Sequence, residues 1–149
     1  MVAIKFENYI VNNIDYTRND EYENEEGNIA IDPNFSAKIY YANTRAVVEI
    51  NVEINKNQDN APFALEVTIS GFFELDDVKF EKNDNMSEFK QMLSSNALAI
   101  IYPYVRNMVS DITLKSNEFP ALTLPVMNFV NLVQKEGKVE FIDMSGDME

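Results

Sequence analysis

The chain has 149 residues, 12 Lys and Arg against 25 Asp and Glu for a net charge of −13, and neither Cys nor His. That acidity works against phosphate backbones and anionic lipid, so nucleic-acid binding is not expected. The two absences exclude disulfides, thiolate chemistry, Ser-His-Asp and Cys-His catalysis, and the commonest transition-metal ligand.

A 46% hydrophobic share with 10 Phe and 7 Tyr is the composition of a chain that folds, and the length suits a single domain, 1–149. At the start, Val2, Ile4, Phe6, Asn8 and Ile10 alternate with Ala3, Lys5, Glu7, Tyr9 and Val11, the period of a strand. Nothing there has the continuous apolar run of a signal peptide. An acidic loop follows over 19–27, with Asp20, Glu21, Glu23, Glu25 and Glu26. Asp15, Thr17, Asn19 and Glu21 alternate as calcium ligands do, but the glycine such a loop needs is missing at Asp20, so no metal is expected.

Asp32-Pro33-Asn34 signals a turn and Phe35 to Ala42 a second strand. In Arg45 to Asn55, Val48, Ile50, Val52 and Ile54 point one way and Glu49, Asn51 and Glu53 the other. After the polar turn Lys56 to Pro62, Phe63, Leu65, Val67 and Ile69 alternate with Ala64, Glu66, Thr68 and Ser70. These two runs predict an antiparallel hairpin with one dry and one wet face, and Gly71 a bulge or bend at its end.

The second half turns helical. Asn85 and Glu88 predict a capped helix over Met86 to Ser94, and Ala97 to Lys115 a second, longer segment kinked or restarted at Pro103. Asn117 to Pro125 reads as an extended crossing segment. Asn128 caps a last helix, Phe129 to Glu136, which Gly137 stops. Lys138 to Ile142 can form a short strand, and 143–149 is an acidic tail. Strands first and helices after predict an α+β fold, an antiparallel sheet with helices packed on one face. The longest apolar run, Ala97 to Tyr102 and on past Pro103 to Val105, is too short to span a bilayer, so a cytoplasmic protein without membrane insertion is expected.

Chemistry-bearing motifs are few. Gly27, Gly71, Gly137 and Gly146 are too scattered for a phosphate-binding loop, and no cofactor is expected. Asp76, Asp77, Glu81 and Asp84 lie in a polar stretch without the apolar cleft that carboxylate catalysis requires. Glu49, Glu53 and Glu66 share the wet hairpin face, either as plain surface charge or as a docking site for a basic partner. Phe119, Leu122, Leu124, Met127, Phe129 and Leu132 crowd a stretch of little period, either as core and subunit contact or as a groove for apolar peptide. The apolar stripe of Ala97 to Lys115 is wider than one sheet covers and predicts a homodimer or homotetramer, with Tyr104, Met108 and Ile112 at the interface.

The run Tyr102-Pro103-Tyr104-Val105-Arg106, then Phe119-Pro120-Ala121-Leu122-Thr123-Leu124, then Val126-Met127-Asn128-Phe129, resembles the SecB export-chaperone family. Phe63 to Phe73 is similar to that family's fourth strand, with Glu66, Val67 and Gly71 in place. The resemblance implies a four-stranded antiparallel sheet, two main helices and a dimer of dimers joined through the long helix. It implies a peptide groove under the crossing segment and last helix that holds unfolded preproteins. It also implies delivery to the translocase motor SecA on the acidic sheet face, where Glu66 matches a contacting acid. Asn13 and Thr17 stand where that family keeps further acids, and the acidic loop is an addition, so the chain resembles a divergent branch, expected in Gram-positive bacteria. The alternative function is a dedicated adaptor for one partner with no export role. An enzyme is not expected.

Overall fold

Period-2 alternation of branched and aromatic residues builds four long strands. The computed structural model describes residues 3–23, 31–42, 44–58, 60–76, 86–117, 120–129 and 138–144. Its strands are β1 (Ala3–Arg18), β2 (Pro33–Ala42), β3 (Arg45–Ile54) and β4 (Phe63–Asp76); a helix, α1 (Met86–Lys115), follows, and then β5 (Val139–Asp143). The sheet has five strands in the order β1-β4-β3-β2-β5. β1–β4, β4–β3 and β3–β2 pair antiparallel, whereas β5 lies parallel to β2. The four-stranded, wholly antiparallel sheet is therefore corrected to a mixed one. The reason is topological: the chain leaves the sheet through α1 and returns by a long crossing, and only such a crossover can bring a strand back parallel.

The dry face forms as the pattern predicts. Phe35, Ala37, Ile39 and Tyr41 of β2, Val48, Ile50, Val52 and Ile54 of β3, and Phe63, Leu65, Val67 and Ile69 of β4 are buried together. α1 covers them with Leu93, Ala97, Leu98, Ile101, Val105 and Val109. Complete burial of each Val, Leu, Ile or Phe among them contributes roughly 1.5–3 kcal/mol.

Three local expectations change. Met86 to Lys115 is one helix of 30 residues that runs through Pro103. Pro103 and Ala99, whose carbonyl loses its usual donor, both lie on the exposed side, where water can replace the missing bond. Gly71 marks no bulge; a Cβ there would come within 2.6 Å of Ile101 Cγ2, so the glycine admits the helix to the sheet. The bulges are in β1 instead, with register shifts between Phe6 and Asn8 and between Val11 and Asn13. Strict alternation therefore fails in β1: Ile4, Phe6, Tyr9, Val11, Ile14 and Tyr16 stand opposite the inward residues of β4.

Two asparagines take left-handed backbone at element ends. Asn117, with φ 61°, follows the end of α1, a position where Asn or Gly stops a helix. Asn55, also at φ 61°, closes β3; its Oδ1 accepts the Asp32 N–H at 2.8 Å and its own N–H bonds the Asp32 carbonyl at 3.1 Å. At the start of the acidic loop, Asn19 caps Glu21 N at 3.0 Å and bonds Ala61 O at 2.8 Å. Residues 24–27 of that loop, the Asn85 cap, the last helix beyond Phe129, and the tail from 145 lie outside the described residues.

Candidate functional site

The crossing segment from Pro120 to Asn128 lies along α1 without regular secondary structure, so side chains of the helix must hold it. Thr113, 1% exposed, accepts the Leu122 N–H at 2.8 Å while its hydroxyl donates to Val109 O at 2.8 Å. Tyr102 donates its hydroxyl to Pro125 O. Burial raises the Tyr102 pKa above the usual phenol value, with Arg106 opposing, so this donor stays protonated. The Tyr102 ring stands edge-on to Phe129 at 5.2 Å and to Phe35 at 5.9 Å.

Those tethers sort the six apolar candidates. Leu124 and Phe129 are core side chains, 1% and 8% exposed. Leu122 and Met127 are half-buried against the core. Phe119 and Leu132 lie outside the described residues. Between Leu124 and Met127 stands a residue outside those six: Val126, 86% exposed. The holders Tyr102 and Thr113 were also missed as site residues. Their signal was a hydroxyl in each case on an apolar helix stripe, since a buried Tyr or Thr needs a hydrogen-bond partner.

The outer face of the sheet brings Glu49, Glu53 and Glu66 together as predicted. Glu53 and Glu66 are direct cross-strand partners, and Asp15 of β1 is opposite Glu66 on its other side. Asp15 was missed because it lies beyond Val11, where the sequence alternation of this strand ends; the two bulges together restore the original parity, so Asp15 shares the face of Lys5. Like charges directly opposite cost stability, and three N–H donors blunt the cost at Glu66. Asn13 Nδ2 reaches Oε1 at 3.1 Å, Asn51 Nδ2 reaches Oε2 at 3.2 Å, and Lys56 Nζ reaches Oε1 at 3.2 Å. The Asn51 hydrogen bond, joined by Lys56 and opposed by desolvation, holds the Glu66 carboxyl below the usual range. Lys56 is raised in turn, chiefly by its hydrogen bond to Glu66. Asn13 thus stands where the resemblance implies an acid, and it supports Glu66. Thr17 bonds Asp15 Oδ1 at 3.4 Å. Glu49 lies opposite Lys38 of β2. At the other end of the same face, Tyr40, Val47 and Phe72 form a cross-strand row in a groove of about 690 Å³.

The helix stripe Tyr104, Met108 and Ile112 is half-buried against the core. Tyr104 packs its ring 4.4 Å from Tyr9 and 5.7 Å from Phe6. Further along β1, on the helix side, Val11 and Ile14 are left 45% and 47% exposed. Among the described residues no group of acids could hold a metal ion, and no helix is long and apolar enough to cross a membrane.

Residues 14–139 match the family described as preprotein translocase subunit SecB. The chain is 30% identical over 136 residues to an uncharacterised protein of Methanocaldococcus jannaschii, covering 88% of this chain and 83% of that one. It is 31% identical over 111 residues to the protein-export protein SecB of Dinoroseobacter shibae, covering 72% of this chain and 60% of that one. Among solved structures, a SecB-like chaperone of Mycobacterium tuberculosis, in complex with a ChAD peptide from an antitoxin, superposes with a TM-score of 0.63 at 17% identity, over 83% of this chain and 90% of that one. A protein of unknown function from Streptococcus agalactiae gives 0.52 at 19% identity, over 85% and 99%.

Proposed function

The chain belongs to the SecB family, and we propose that it is a chaperone that holds unfolded polypeptide by its apolar segments. The observation that carries this is the crossing segment, a strip without sheet or helix bonding of its own, pinned to α1 by Tyr102 and Thr113. Its pinned backbone leaves Val126 exposed beside half-buried Leu122 and Met127, over a floor of Leu124 and Phe129. Adaptable apolar side chains on a fixed backbone suit clients of varied sequence. Binding of this kind needs no catalytic group, and the reading is non-enzymatic and cytoplasmic. The M. tuberculosis neighbour is a chaperone bound to a peptide, which supports polypeptide as the ligand class. The test is whether the protein suppresses aggregation of several unrelated reduced, unfolded clients. Val126→Ser should cut protection while the thermal melt is retained. A wild type that protects none of them sinks the chaperone and favours the dedicated adaptor.

Export is the finer proposal, supported by the curated export relative. Asp15, Glu49, Glu53 and Glu66 form an acidic surface suited to a basic segment of a partner such as SecA. A triple change of the three glutamates to Gln should slow association, and rising salt should weaken it, because exposed charges are screened over about 8–10 Å at physiological ionic strength. Partner binding that ignores both changes returns the row to plain surface charge. Assembly as a homodimer or homotetramer is proposed through Tyr104, Met108 and Ile112, with Val11 and Ile14 alongside. Met108→Asp and Ile112→Asp should lower the mass seen in light scattering, and a monomeric wild type at micromolar concentration would overturn the proposal.

A further inference from the structure

β5 is the least secured element of the sheet. It has 5 residues, none of them buried. It pairs in parallel, the slightly weaker arrangement, and among the described residues only along one side, with β2. By contrast the β2 residues it covers, Ala37, Ile39 and Tyr41, are 5%, 0% and 7% exposed. At its ends, Ala37 N bonds Lys138 O at 2.9 Å and Met144 N bonds Tyr41 O at 2.8 Å. Val139 and Phe141 turn to the helix side, opposite Ala37 and Ile39, and pack against the core. Lys90 Nζ stands over the Phe141 ring at 5.5 Å and over the Tyr41 ring at 5.7 Å. Phe35, at the head of the same β2 row, touches Tyr102, which also touches Phe129 and holds Pro125. The β2 row under β5 is therefore linked to the crossing segment through the core contacts of Phe35, Tyr102 and Phe129.

We infer that β5 is a displaceable internal occupant of the β2 edge, and that an extended client segment with apolar side chains at alternate positions takes its place. The inference rests on the chaperone reading and adds how access to the site is regulated. The present occupant defines what the edge accepts: an extended backbone to pair with β2, and a branched and an aromatic side chain two residues apart facing the helix side. Strand addition provides the main-chain bonds and the alternate pockets the selectivity. Because β5 and the client compete for one edge, the apparent affinity is reduced by the fraction of molecules in which β5 has left.

The chain has no cysteine, so a reversible lock can be introduced cleanly. Lys38 and Glu140 are exposed register partners in β2 and β5. Adjacent strands lie about 4.7–4.9 Å apart, within the Cα range of a disulfide. In Lys38→Cys with Glu140→Cys, the oxidised protein should bind a labelled peptide of alternating Val and Phe about tenfold more weakly than the reduced protein. Full-chain Phe141→Asp, which loosens β5, should bind it more tightly than the wild type. Thermal melts of all forms accompany the titrations. Equal binding by the oxidised and reduced lock, with clients still protected from aggregation, overturns the inference and leaves the chaperone reading standing. Absence of binding by every form, Phe141→Asp included, overturns both.

Discussion

Along β3 the residues alternate between two environments. Val48, Ile50, Val52 and Ile54 are at most 2% exposed beneath α1, while Glu49, Asn51 and Glu53 between them are half-exposed on the other side. The helix side gains stability from packing, and its tolerance is set by shape: Gly71 has no room for a methyl group beside Ile101. The outer side gives up some of that stability, since Asp15, Glu66 and Glu53 face one another across three strands. A sheet stable through one face is free to carry an unfavourable but recognisable charge pattern on the other. The crossing segment combines both situations within ten residues, with Leu124 in the core and Val126 open to solvent.

Substitutions can break or sharpen that contrast. The largest effect is expected at Leu124→Ala, which empties a fully packed site and should cost about 2–5 kcal/mol in denaturant or thermal unfolding. Val126→Ala, two residues away, should stay within about 0.5 kcal/mol. Equal losses at the two positions would mean that the segment does not sit as described. Next comes Gly71→Ala, where the new methyl group must push Ile101 and should cost about 1–3 kcal/mol. A neutral result would show that α1 can move away from the sheet at little cost.

Thr113→Val should follow, at about 1–3 kcal/mol, because it leaves the Leu122 N–H without its acceptor. Faster amide exchange at Leu122, with the strands unchanged, would locate the damage in the crossing segment. The smallest effect at neutral pH is expected at Glu66→Gln, but this variant should change the pH profile. The folded pKa of Glu66 lies below the unfolded value, so its contribution is present above the ordinary carboxylate range, about 4.3, and is lost as pH falls through the folded value. Acid unfolding curves of wild type and Glu66→Gln should therefore converge as pH drops. Curves that stay parallel would mean that Asn51, Lys56 and Asn13 do not favour the charged carboxylate.

How much of this was legible depends on whether local pattern alone decides the feature. β2, β3 and β4 were readable because period-2 alternation with a single dry face leaves one register that buries every apolar side chain. The three glutamates followed from the same alternation. β1 was misread in detail because a bulge adds one residue and exchanges the two faces, and nothing in Glu7 or Asn12 announces it. The exchange holds only for residues 8–11, since the second bulge restores the parity; Asp15 went unnoticed because it lies beyond the alternation read up to Val11. The kink or restart expected at Pro103 was an inference from a missing N–H, which an exposed helix side tolerates.

The amino-acid sequence by itself determined the strand-then-helix order, the dry and wet faces of the central hairpin, the exclusion of thiol and imidazole chemistry, and the motifs shared with the SecB family. Those features depend on residue types and on spacings of a few residues, so they survive without coordinates. Only the tertiary structure decided that β5 returns parallel to β2, that Gly71 is a helix contact, and that Leu124 is core where Val126 is surface. Each of those depends on which distant segment lies opposite, and residues 37 and 139, or 71 and 101, carry no local signal of the other. The mixed sheet, with its weakly held fifth strand beside the crossing segment, is therefore a product of long-range packing and not of any pattern within either segment.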